Sequence, residues 1–126
     1  MSGALAPGDL VAILGGGQLG RMLALAGVPL GLRFRFLEPA SPAPADGVGE
    51  VVRASYDDLE AVARLGAGAG AATYEFENVP APSARALAEV LPVYPPPAAL
   101  EMARDRRHEK EGFDRLGIPC APWRTV

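Results

Sequence analysis

The stretch AILGGGQLGRM, residues 12–22, constrains the fold of this chain more than any other. An apolar run, Leu10–Leu14, meets three consecutive glycines, and Gly20 follows shortly after. A continuous apolar run of that length suits a strand buried on both faces of a parallel sheet. Past the glycines, Leu19, Met22, Leu23 and Ala26 recur at i, i+3, i+4 and i+7. That spacing predicts a helix with these four residues on its apolar face. Gly15, Gly17 and Gly20 thus satisfy G-x-G-x-x-G between a strand and a helix start, where glycine lets a ligand approach the backbone. Two readings stay open on this ground: a ligand-binding turn, or a tight bend needed only for the chain to change direction. The chain has no G-x-x-x-x-G-K-[ST], so this is not a P-loop.

The rest of the chain alternates strand and helix. Short segments rich in apolar residues predict strands at Phe34–Leu37, at Val51 and Val52, at Ala71–Tyr74, and at Val93 and Tyr94. Asp57 and Asp58 suit the start of a helix carrying Leu59, Val62 and Ala63. Ser83 is expected to cap a helix carrying Leu87, Val90 and Leu91. The prolines at 95–97 break the chain. Asp105 is expected to cap a last helix that ends at Gly117, with Pro119 just beyond. This β-α-β-α-β order predicts an α/β fold, a parallel sheet with flanking helices and right-handed crossovers.

The 126 residues are one domain's worth and enough to bury a core. A net charge of −3 recommends neither nucleic acid nor an anionic membrane as a partner. No stretch approaches the roughly 18 consecutive apolar residues of a spanning helix. The N-terminus MSGALAPGDL lacks the basic and long apolar regions of a secretory signal. A lone cysteine, Cys120, allows no internal disulfide. The expected compartment is the cytoplasm.

Three groups of residues can carry chemistry. Glu38 closes the second strand, where a dinucleotide-binding fold places a ribose-binding carboxylate. TYEFENVP, residues 73–80, closes the fourth strand, and alternation puts Glu75 and Glu77 on one side of the chain with Phe76 on the other. Open α/β sheets bind ligands beyond the carboxyl ends of their strands, so this segment and the glycine turn should face one crevice. A carboxylate there can accept hydrogen bonds from an amine or a ribose hydroxyl, or can simply be solvated. In ARDRRHEKEGFDRLGIP, residues 103–119, alternating charges read by composition as an exposed, salt-bridged helix. His108 lies among those charges with no second histidine to share a metal, and Cys120 reads as a packed small residue.

GGGQLGRM, TYEFENVP and RDRRHEKEGFDRLGIP occur in that order, followed by APW at 121–123. Together they resemble the 5-(carboxyamino)imidazole ribonucleotide synthases of the ATP-grasp superfamily, from about Leu10 to Val126. The resemblance implies a Rossmann-like pre-ATP-grasp domain over residues 1–103. Residues 104–126 would be a helix and linker leading into an ATP-grasp part that lies outside this chain. It implies ATP-dependent carboxylation of 5-aminoimidazole ribonucleotide with bicarbonate in purine biosynthesis. Gly17, Gln18 and Leu19 match loop positions that touch the ribonucleotide, Glu75 matches a substrate-binding carboxylate, and Arg106 matches an ATP-contacting arginine. Mg2+ ligands are expected outside the chain, which is expected to be inactive alone, and the full-length enzyme is expected to be a homodimer. The alternatives are an NAD-binding domain and a non-catalytic interaction module.

Overall fold

Four parallel strands form one sheet in the order β3-β2-β1-β4 in the computed structural model, which describes residues 3–126. Met1 and Ser2, the start of the unit expected over 1–103, lie outside the described residues. The strands are β1 (Leu10–Leu14), β2 (Arg33–Leu37), β3 (Glu50–Val52) and β4 (Ala71–Tyr74). The helices are α1 (Gln18–Gly27), α2 (Leu59–Gly66), α3 (Ala81–Ala88), α4 (Pro97–Arg104) and α5 (Arg106–Arg115). The α/β parallel sheet expected from the sequence is the observed fold. No helix of the described residues is long and apolar enough to cross a membrane.

Strand alternation sorts the core into two layers. Phe34 and Phe36 of β2 and Ile13 of β1 join Ala24 of α1 in one buried cluster. Ala12, Leu14, Leu37 and Ala72 join Val62 and Leu65 of α2, Leu87 of α3 and Leu100 of α4 in the other. Covering both faces is what a parallel sheet requires.

The expected apolar face of α1 is turned away from the sheet. Gly20, Ala24 and Gly27 are its buried residues. Leu19, Met22, Leu23 and Ala26 are exposed, Leu19 by 56%. The cause is volume: Phe34 and Phe36 fill the space beneath the helix. A Cβ on Gly27 would overlap the Phe34 ring, and one on Gly20 would lie 3.3 Å from Phe36. Close packing therefore selects the helix face with the smallest residues.

Other elements depart from expectation in smaller ways. In α2, Val62 is buried as expected, but Leu59 and Ala63 are exposed, and Ala61 and Leu65 are buried instead. Asp58 caps this helix, accepting from the Ala61 amide at 3.0 Å. Ser83 does not cap α3; Pro80 holds that position, and the buried Ser83 hydroxyl donates to the Tyr56 carbonyl at 2.6 Å. Leu87 and Leu91 are buried, whereas Val90 is exposed. The expected fifth strand is reduced to one bridge between Ala72 and Val93 on the β4 edge. Pairing stops there because Pro95–Pro97 have no amide N–H to donate. Those prolines also open an unexpected helix, α4, whose first residue is Pro97. A fixed φ and a missing donor suit the first helical position. Asp105 caps α5 as expected, accepting from the Arg107 and His108 amides.

Candidate functional site

Register places the site. Leu14 of β1 stands beside Leu37 of β2 and Tyr74 of β4. The next residue on each strand is therefore Gly15, Glu38 and Glu75, with the glycine turn between the two carboxylates. The ladder runs one step further: the Gly15 amide donates to the Leu37 carbonyl at 3.0 Å, and the Glu75 amide to the Leu14 carbonyl at 3.1 Å. The chain proceeds outward from β1 through β2 to β3 and then returns to place β4 on the far side of β1. The β1–β4 gap is thus the point of strand-order reversal, where open α/β sheets bind ligands.

Glu75 closes on the turn from the β4 side. One oxygen accepts the Gly17 amide at 2.8 Å and the other the Gly20 amide at 2.5 Å. These N–H groups open α1, and a carboxylate there meets unpaired donors and the positive helix end. Gly15 has φ +107°, and a Cβ on it would overlap the Glu75 side chain. Gly17 is also tight, since its Cβ would lie 2.7 Å from a Glu75 oxygen. The glycines admit the carboxylate to the backbone. A carboxylate offers about four lone-pair sites, so the two amide bonds leave Glu75 able to accept further donors from the crevice.

Glu38 closes on the turn from the β2 side. It is 7% exposed. Its Oε2 accepts the Gly16 amide at 2.9 Å and the Tyr56 hydroxyl at 2.7 Å, and its Oε1 accepts the Ala40 amide at 2.8 Å. Burial raises its carboxyl, but the Tyr56 hydroxyl, the Ala40 and Gly16 amides and Arg53 outweigh that, and the net displacement is downward. Burial and the bond to Glu38 push the Tyr56 hydroxyl upward, with Glu75 adding to the effect. Three donors of its own chain hold Glu38, so it is not the open acceptor that a dinucleotide ribose needs. Tyr56 itself carries no sequence signal; only the fold brings it to Glu38.

The expected site residues fall into two groups. Gly17, Gln18 and Leu19 begin α1 beside Glu75, with Gln18 and Leu19 exposed. Glu77 follows past the end of the strand. β4 ends at Tyr74, and the chain then bends, so strand alternation stops before Glu77. Glu75 and Glu77 nevertheless line one cavity of about 380 Å³, with Tyr74, Phe76, Pro95 and Leu100. Arg106 stands apart on α5, its side chain 80% exposed and 2.5 Å from Glu109. Glu77, Asn78 and Arg104 line a second cavity with that pair, of about 330 Å³. Among the described residues no three His, Cys, Asp or Glu side chains converge to hold a metal.

Residues 9–104 match the family described as the ribonucleotide synthetase preATP-grasp domain. The chain is 50% identical over 123 residues to the N5-carboxyaminoimidazole ribonucleotide synthase of Brucella melitensis, covering 97% of this chain and 34% of that protein. It superposes on the N5-carboxyaminoimidazole ribonucleotide synthetase of Thermus thermophilus with a TM-score of 0.83 and 57% identity, over 86% of this chain and 30% of that one. The corresponding Aspergillus clavatus enzyme was solved in complex with ADP and 5-aminoimidazole ribonucleotide. It gives a TM-score of 0.81 and 29% identity over 92% of this chain and 31% of that one. The chain thus spans about a third of the length of the relatives it matches. With the matched segment running from the start of β1 to the end of α4, the chain belongs to the ribonucleotide synthetase preATP-grasp domain family.

Proposed function

We propose that this chain forms the ribonucleotide-binding wall of an enzyme that carboxylates 5-aminoimidazole ribonucleotide to N5-carboxyaminoimidazole ribonucleotide at the expense of ATP. Family membership, with a relative solved on ADP and that ribonucleotide, carries the reading. ATP phosphorylates bicarbonate, releasing ADP; the exocyclic amine then attacks the carboxyl carbon of carboxyphosphate and phosphate leaves. Holding so short-lived an intermediate beside the amine is a task of positioning and water exclusion.

Each proposed role rests on a placement. Glu75 sits at the strand-order reversal with its orientation fixed by two amides and accepts donors of the ribonucleotide. Gly17, Gln18 and Leu19 provide the adjoining backbone and side-chain surface. Arg106 exchanges Glu109 for ATP phosphate, a partner suited to the guanidinium fork. The binding domain is residues 1–103, and 104–126 lead away from it. The Mg2+ ligands belong to the part of the enzyme outside residues 1–126. The full-length enzyme is a cytoplasmic homodimer.

The test is steady-state kinetics of the full-length protein. Glu75→Gln is expected to raise the ribonucleotide KM about tenfold or more, a loss of about 1.4 kcal/mol, and to leave the ATP KM within about twofold. Equal effects on both substrates would overturn the role.

A further inference from the structure

We infer that Tyr56 and Glu38 are a positioning pair that sets the glycine turn for the ribonucleotide. This rests on the function proposed above and extends it to two residues that the proposal leaves without a role.

The turn is held from two sides. Glu75 takes the Gly17 and Gly20 amides, and Glu38 takes the Gly16 amide just before them. Gly16 is wedged: a Cβ there would lie 2.8 Å from the Glu38 Cβ and 3.3 Å from the Ala45 Cβ. The Gly16 carbonyl accepts the Ala45 amide at 3.0 Å, which closes the same contact from the far side. A shift of Glu38 therefore moves Gly16, and through the peptide chain it moves Gly17 and Gln18.

Tyr56 connects the two sides. Its hydroxyl donates to Glu38, and its ring meets the Phe76 ring edge-on, with centroids 5.5 Å apart and planes at 63°. Phe76 is the neighbour of Glu75. The Tyr56 carbonyl accepts the buried Ser83 hydroxyl, which ties the same residue to α3. One residue thus references the ends of β2 and β4 through its side chain and α3 through its backbone carbonyl. A turn held this way keeps Glu75 and the start of α1 in fixed relation, and binding affinity depends on such pre-organisation. Neither residue of the pair needs to touch substrate.

The test compares Tyr56→Phe, Glu38→Gln and Glu75→Gln in the full-length protein. Tyr56→Phe keeps the ring on Phe76 and removes only the hydroxyl. It should raise the ribonucleotide KM about threefold to tenfold, the size of one hydrogen bond, with kcat and the ATP KM within about twofold. A merely structural role would reduce the folded fraction, lowering kcat and leaving both KM values in place; that result overturns the inference. An unchanged ribonucleotide KM in Tyr56→Phe, beside a raised one in Glu75→Gln, overturns the inference and leaves the proposed function standing. A wild-type enzyme whose rate does not saturate with the ribonucleotide overturns both. Should Glu38→Gln fail to fold, Tyr56→Phe decides alone.

Discussion

Gly20 shows how little room the turn allows. A Cβ there would stand 2.8 Å from the Gly15 carbonyl oxygen and 3.0 Å from a Glu75 oxygen, and the first of these is backbone. Gly20→Ala is expected to destabilise the chain by about 1–3 kcal/mol, as overpacking does; an unchanged urea midpoint would show that the turn yields. Glu38 and Tyr56 set a pH window. The Glu38 carboxyl lies below its ordinary 4.5, so its contribution is present above that value and is lost as pH falls through the lowered one. The Tyr56 hydroxyl lies above its ordinary 10.0, so its contribution is present below that value and fades as pH rises through the raised one. Their shared bond should therefore stabilise the fold fully between 4.5 and 10.0. Urea midpoints measured from pH 7 downward should fall less steeply in Glu38→Gln than in wild type; parallel curves would remove Glu38 from the acid limb.

Elements are joined by polar side chains as much as by the core, and Arg35 is the clearest case. It lies on β2 between Phe34 and Phe36, so alternation points it to the α2 face. Its guanidinium donates to the carbonyls of Arg64, Leu65 and Ala67 at 3.1, 3.3 and 2.7 Å, and also pairs with Glu50 at 2.8 Å. The end of a helix leaves carbonyls unpaired and carries the negative dipole end, so a cation there satisfies both. Arg35→Met should destabilise the chain by about 1–3 kcal/mol, the range for hydrogen bonds to a charged group. Arg35→Lys should recover less than half, because one ammonium lacks the fork that reaches several carbonyls. Equal urea midpoints for wild type and Arg35→Met would mean that solvent serves these carbonyls as well. The sequence marked Phe34–Leu37 as a strand. It could not show that Arg35 caps α2, since the two lie far apart in the chain.

At the scale of the whole molecule, the 126-residue chain spans about a third of its relatives' length, and under the proposed function it supplies one wall of the site. Phosphoryl transfer needs metal ions and a clamp on the moving phosphate. The chain alone is therefore expected to release no ADP with bicarbonate and the ribonucleotide; turnover matching that of a full-length relative would overturn this. The sheet and the glycine turn were legible from local pattern. Leu10–Leu14 and Ala71–Tyr74 read as strands because their apolar runs are short and bounded, and Asp58 and Asp105 read as helix starts because capping acts within a few residues. The pairing of Glu75 with the turn was expected only as a shared crevice, and its two amide bonds were not. By itself, then, the sequence determined what neighbours along the chain decide: strand, turn, cap and the order of elements. The tertiary structure decided which face of α1 is buried, because Phe34 and Phe36 take the volume that Leu19 and Met22 would need. It also decided that Tyr56 reaches Glu38, because only strand register and packing bring together side chains that are distant in the chain.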